Sequence, residues 1–446
     1  MLWAELAKER AHLDAECTED EVEQEAAWCQ DTMSHILNAT EKRIRICAKS
    51  KRWWNADIKE RRTAVGRERR RRRKLEEAAQ AMAELQKSIR WSNSQMWSEY
   101  LQNLRGAEVW RAAQYANPAE SMTLEALTDR EGMQATTATE KQEMLRSENF
   151  VPNDEDQYYE TPPAGSAHTC VTEQAVERAL FSQSVEKAPG PDKLSFGALR
   201  LLWGWAKQRI VGLTKEAIRR GKHPAFWKRA SGVVICKPGK EDYTKLKVYR
   251  SISLRSCMGQ VVEKVVVELF SEEAEGGGLL SDGQIRRRNG RSAINAAAIM
   301  VDRAHAARTN GHITGVLLMD MKAVFPSMAK ERLVNLMKVR QMDGYLIQWT
   351  KRFLSERTVE MIIEGNAMES PPVEAGVPQC SPMSPILFPI STTRLIKWAK
   401  QYVSAEGLSF VENLGRVATG SDVNQVVTTL KRCPANSVEW ASSRGL

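Results

Sequence analysis

The sequence predicts an α+β fold organised around a sheet and preceded by a basic helical N-terminal region. Three observations carry this. From about residue 170 onward, helical stretches alternate with short β-branched runs; a tract at 42–74 concentrates sixteen Lys/Arg against three Asp/Glu; and turn formers accumulate between the two. An α/β arrangement is compatible with the same alternation.

Composition bounds what the chain can be. With 446 residues, 42% apolar and 27% charged, it is long enough to bury a sizeable core. It holds no run of about 18 apolar residues, and its Met-Leu-Trp-Ala-Glu start has no basic segment leading into an apolar one. The expectation is an intracellular protein without a membrane partner. Eight cysteines lie at 17, 29, 47, 170, 236, 257, 380 and 433 with no CxxC pair, which argues against a zinc site or a disulfide framework.

Residues 1–40 read as an acidic helical segment without a legible motif. Residues 41–111 form a basic tract of helix formers containing Trp53, Trp54, Trp91, Trp97 and Trp110. The local balance over 42–74 is +13, leaving −4 for the rest of a chain whose total is +9. Such a concentration suits phosphate contact, and Arg69, Arg70, Arg71, Arg72, Arg73 and Lys74 are its nucleic-acid-binding candidates; a nuclear-import address or a solvated helix face has the same composition. Leu75, Ala78, Met82, Leu85 and Ile89 follow at steps of 3 and 4. That seam suggests a coiled coil over 67–90, or, being only about two heptads long, a helix packed on its own protein.

Residues 112–170, with Asn117-Pro118 and Thr161-Pro162-Pro163-Ala164-Gly165, read as a linker. In 171–446 the helical stretches are Val171–Gln183, Cys257–Glu272, Ser292–Ala307, Lys330–Arg340 and Met383–Val403; the β-branched runs are Gly232–Cys236, Thr314–Asp320, Val359–Glu364 and Leu408–Val411.

The run Thr314-Gly-Val-Leu-Leu-Met-Asp320 delivers a carboxylate to the end of an apolar strand, where it suits a hard cation or the cap of a following helix. Gly376-Val377-Pro378-Gln379-Cys380-Ser381-Pro382 reads as a tight turn into an amphipathic helix, and Phe410-Val411-Glu412-Asn413-Leu414 as strand, turn and strand. In this order the three segments resemble motifs A, B and C of reverse transcriptases. Upstream, Lys187-Ala188-Pro189-Gly190-Pro191-Asp192, Lys237-Pro238-Gly239-Lys240, Tyr249-Arg250-Ser251-Ile252-Ser253-Leu254 and the segment Gln284–Ser292 resemble the KAPGPD, KPGK, YRPISL and QFGxRxGRS motifs of the non-LTR retrotransposon branch. The Trp53-Trp54-Asn55 region resembles the tract that joins endonuclease and polymerase in these elements.

The resemblance implies the fingers and palm of a right-hand polymerase, copying an RNA template from a DNA primer with dNTPs in the nucleus. It also implies two Mg²⁺ or Mn²⁺ ions about 3.5–4 Å apart. By motif position Asp320 and Glu412 would be metal ligands, with Asn413 the third catalytic position. Phe325 would gate the ribose 2′ position, Lys237 and Arg250 would meet the triphosphate, and Gln379 and Ser381 would flank the nucleotide.

Several positions depart from the pattern. Glu412-Asn413 replaces the Asp-Asp of motif C, Cys380 replaces the motif B glycine, Ser251 replaces a proline, and Ile285-Arg286-Arg287-Arg288 replaces Phe-Gly-x-Arg. The resemblance also sets the expectation that the chain stops soon after motif C, without a thumb, and that no complete endonuclease domain precedes it. The expectation is a partial, degenerate copy whose catalysis is impaired.

Overall fold

The structure is a computed structural model that describes residues 2–7, 10–40, 55–71, 75–103, 124, 126–129, 131–149, 171–237, 239–285, 291–320, 328–363, 366–368, 373, 376–378, 381–398, 405–410 and 413–442. They belong to two compact units, one of residues 1–39 and 124–446, the other of residues 40–123.

The first unit opens with α1 (Leu2–Leu6) and α2 (Glu19–Thr40). A capping box starts α2: the Glu21 N–H donates to Thr18 Oγ1 at 3.2 Å, and the Thr18 N–H donates to Glu21 Oε2 at 2.6 Å. Its buried apolar positions, Val22, Ala26, Cys29, Met33 and Ile36, recur with helical spacing.

The second unit contains α3 (Ala56–Arg71) and α4 (Leu75–Asn103). The side chain of Asn55 accepts from the Ile58 N–H at 3.0 Å, and Ile58, Val65 and Leu85 share a small core with Met82 and Ile89. The span 67–90, read from sequence as a coiled coil or a helix packed on its own protein, takes in the end of α3 and the start of α4. The apolar seam of α4 is met by α3 of the same chain.

Part of the stretch expected as a linker is described. Within it, β1 (Leu127–Thr128) and β2 (Gln134–Ala135) form an antiparallel ribbon, and α5 (Ala138–Asn149) follows. Leu127, Ala135 and Leu145 are buried, and Gln142 Nε2 donates to Met361 O at 3.0 Å. Scattered apolar residues among turn formers carry no period; long-range burial orders them.

Then come α6 (Glu173–Phe181), α7 (Phe196–Arg219), β3 (Arg229–Cys236), β4 (Tyr249–Arg255), α8 (Cys257–Gly276), α9 (Ala293–Thr309), β5 (Ile313–Asp320), α10 (Lys330–Val339), α11 (Gly344–Leu354), β6 (Thr358–Ile363), β7 (Asn366–Met368), α12 (Ser384–Trp398), β8 (Ala405–Phe410), β9 (Asn413–Gly420) and α13 (Val423–Ser442). Where the alternation suggested one central sheet, these strands form two among the described residues, besides the β1–β2 ribbon. One has the order β4-β3-β6-β7, with β3 and β6 parallel and the other pairs antiparallel; the other is the antiparallel β5-β9-β8. Since β5 pairs only with β9 among the described residues, it is an edge strand, and Val316 and Leu318 are exposed. An apolar run reads as buried from sequence, but sheet order decides whether both faces are covered.

The main core joins α2 to α6, α7, α8, α10, α11 and α12. At its N-terminal side Arg209 of α7 meets Glu25 of α2 at 2.8 Å, both side chains 3% exposed. Arg209 also donates to the carbonyls of Ala7, Arg10 and Ala11, and its guanidinium lies 4.7 Å from the Trp28 ring centroid. A buried charge requires this saturation.

Candidate active site

Strand β5 alternates its side chains, so Thr314, Val316, Leu318 and Asp320 share one face, and Asp320 ends the strand exposed. In register, Asp320 pairs with Asn413, and Asn413 pairs with Phe410 across the β8–β9 hairpin. Sheet pairing thus sets the end of β5 beside the turn end of that hairpin. Val411 and Glu412, which connect β8 to β9, lie outside the described residues, as do Phe325, Gln379 and Arg72–Lys74; of Arg69, Arg70 and Arg71 the helical backbone alone is described.

Divalent ions of the hard class take oxygen ligands, and a pair of them needs several clustered carboxylates. At this sheet end the described backbone positions bring together one carboxylate residue and one carboxamide residue. Among the described residues no group of three His, Cys, Asp or Glu is placed to hold a metal ion. The described residues at this sheet end do not by themselves supply the carboxylates that a pair of dications needs.

The fingers-side candidates fall on the four-stranded sheet. Lys237 follows β3; its N–H donates to Val248 O at 2.7 Å, and its Nζ to Lys247 O at 2.5 Å. Arg250 pairs with Ile235 on the neighbouring strand and is exposed. The loop between them is tied by Tyr249 Oη donating to Tyr243 O at 2.7 Å and Tyr243 Oη to Lys237 O at 3.1 Å. In that loop, the Thr244 hydroxyl and then Lys245 hold the Asp242 carboxyl down to about 2. Ser251, at the position of the missing proline, is buried and directs its hydroxyl to Met361 Sδ at 3.8 Å.

Ser381 is also buried rather than open to a ligand, at 3% exposure. Its Oγ donates to Glu263 Oε2 at 2.6 Å and accepts from the Met383 N–H at 3.0 Å. Glu263 Oε1 is ion-paired with Arg255, and neither side chain exceeds 2% exposure. Sequence reasoning missed this pair; the available signal was a carboxylate within the apolar run Val261-Val262-Glu263-Lys264-Val265-Val266 on a face that the helix buries. Next to it Arg357 is held down to about 9 by burial and then by the charge of Arg255, while it covers Phe353 at 4.6 Å from the ring centroid. His223 sits fully buried among Trp227, Trp349 and Phe353, with ring centroids 5.3–5.5 Å away. Burial, then Arg357, Lys228 and Arg255, push its pKa well below the ordinary histidine value.

Two further motifs act as spacers. Gly190 abuts Arg255: a Cβ there would lie 2.4 Å from the Arg255 carbonyl carbon, which restricts the position to glycine. Gln284, 1% exposed, donates to Pro389 O at 2.7 Å on α12 and accepts from the Thr393 hydroxyl at 3.1 Å. The backbone beside it pairs with β8, since Ser409 N–H donates to Gly283 O at 2.8 Å and Ile285 N–H to Ser409 O at 3.1 Å. One segment therefore locks the helix after motif B to the hairpin of motif C.

Residues 235–418 match the sequence model of the family described as "Reverse transcriptase (RNA-dependent DNA polymerase)". Over 236 residues the chain is 27% identical to the RNA-directed DNA polymerase from mobile element jockey of Drosophila melanogaster, covering 53% of this chain and 26% of that protein. Over 224 residues it is 26% identical to the probable RNA-directed DNA polymerase from transposon BS of the same species, covering 50% and 24%. The chain spans about a quarter of the length of these curated relatives. Among solved structures, telomerase from Candida albicans aligns at a TM-score of 0.37 and 11% identity, covering 49% of this chain and 41% of that one.

Proposed function

Because this chain carries a reverse transcriptase domain of the non-LTR retrotransposon kind, we propose that it holds an RNA template and a DNA primer as a polymerase palm does, while transferring nucleotides only feebly. One observation carries the second half: the position paired with Asp320 across the sheet is Asn413, an amide where clustered charge is needed. An amide oxygen brings no charge to offset a dication, and Glu412 reaches one methylene further than Asp. A misplacement of about 1 Å at a reacting centre costs on the order of 10²-fold. Asp320 keeps the one described carboxylate at the sheet end, Lys237 and Arg250 offer cations on the other sheet, and the run Arg69–Lys74 supplies charge for phosphate contact.

Primer extension on an RNA template with Mg²⁺ or Mn²⁺ tests this. The comparison is between the chain itself, the double variant Glu412→Asp/Asn413→Asp, and that variant with Asp320→Ala. The expected result is extension by the double variant, its loss with Asp320→Ala, and a rate on the order of 10²-fold or more lower for the unaltered chain. Equal extension by the unaltered chain would overturn the proposal of impaired transfer. Silence from the double variant would overturn the polymerase reading of this chain.

A further inference from the structure

We propose that Glu263 is a positioning residue for the motif B turn, holding the start of α12 at a fixed place relative to the β3–β4 hairpin through Ser381. This rests on the polymerase reading above. The two carboxylate oxygens are divided between two elements: Oε1 takes Arg255 at the end of β4, and Oε2 takes the Ser381 hydroxyl at 2.6 Å. Because the Ser381 oxygen already accepts the Met383 N–H, its own proton has one direction, toward Glu263. Ser384 Oγ closes the same turn on Pro378 O at 2.6 Å.

The tie continues toward the opening motif of the domain. Gln260 Nε2 donates to Arg255 O at 3.0 Å, and Lys187 Nζ donates to Gln260 Oε1 at 2.6 Å. Gly190, without a Cβ, lets that motif lie against the Arg255 backbone. The segments at 187–190, 255–263 and 378–384 are thereby one hydrogen-bonded body. A buried ion pair is weak as a source of stability, since apolar side chains of like volume would serve as well. Its use lies in geometry, because both charges must be met at once and only one arrangement of the three segments meets them. Ser381 is too buried to touch a nucleotide, so its effect passes through the backbone that starts α12.

Glu263→Gln and Ser381→Ala are made in the full chain and in the Glu412→Asp/Asn413→Asp chain. Ile396→Val, a core truncation near the other end of α12, is the control. Amide exchange over 383–387 needs no activity; both variants are expected to speed it on the order of tenfold, and the control to leave it unchanged. In the double variant, both are expected to raise the dNTP KM on the order of tenfold or more while kcat at saturation stays within about threefold. Unchanged exchange, or a fall in kcat that follows the folded fraction with KM constant, would overturn the inference. If Glu263→Gln does not fold, Ser381→Ala, which removes a hydroxyl alone, decides the matter. If the double variant extends no primer, the polymerase reading falls, and the exchange result judges the tie by itself.

Discussion

Replacing Glu25 by Ala should detach the N-terminal helix α2 from α7 at a predictable cost. Among the described residues Glu25 is the single carboxylate that meets Arg209, at 2.8 Å, and it also takes Arg10 at 2.6 Å. Arg10 is 34% exposed on its side chain and can turn to water, whereas Arg209 at 3% cannot. Three carbonyl acceptors and the Trp28 ring remain to Arg209, but its charge is left without a counter-ion. Breaking a buried pair on one side costs about 3–5 kcal/mol. For a cooperative unit of roughly 360 residues, that corresponds to a Tm lower by about 4–7 °C. Glu25→Leu together with Arg209→Met removes both charges and should fall within about 1–2 kcal/mol of the parent. Urea unfolding followed by tryptophan fluorescence reads both variants, since Trp3 and Trp28 lie 5.6 Å apart at this contact. Cys29 reports local release: its Sγ donates to Glu25 Oε1 at 3.7 Å, and burial followed by Glu25 pushes its thiol upward, so labelling waits for α2 to lift. If Glu25→Ala costs less than about 1 kcal/mol, as an exposed pair would, the reasoning fails.

Two other outcomes follow from the same coordinates. His223 is charged in the unfolded chain below its ordinary value of 6.5 but held neutral in the fold, so its contribution is present above pH 6.5 and is lost as the pH falls below that value toward its depressed folded pKa. His223→Phe should flatten the pH dependence of the unfolding free energy, read by urea titration between pH 6.5 and 5, by up to about 1.4 kcal/mol per pH unit, and an unchanged slope would contradict it. Gly283→Ala would set a Cβ 1.9 Å from Gly407 O, so the pairing between this segment and β8 must open. A loss of about 1–3 kcal/mol or more is expected in thermal unfolding, and parent-like stability would mean that the segment does not run along β8.

How much of this was legible beforehand depends on the range of the interactions involved. The strands β3, β5 and β6 and the helices α8, α9 and α10 lie close to their expected spans, because each has an apolar period that local sequence displays. The reverse transcriptase resemblance was legible for a related reason: motif residues lie within a few positions of one another. Helices α7, α11 and α13 were not singled out, although the buried residues of α7 recur at helical steps. Among the predicted site residues, Asp320 ends β5, Lys237 follows β3 and Arg250 lies on β4, while Ser381 faces Glu263 inside the protein.

By itself, the sequence determined the motif order, the basic tract at 42–74 and the substitution of Asp-Asp by Glu412-Asn413, since these are properties of residue type and spacing. Only the tertiary structure decided that, among the described residues, the strands after β2 form two sheets rather than one and that β5 is an edge. It also decided that residues 1–39 belong to one unit with residues 124–446 and that Arg255, Glu263 and Ser381 share one buried bond network. Those facts turn on which surfaces meet across long separations. A chain records apolar period locally, but the partner of each face is chosen when burial and charge pairing are satisfied together.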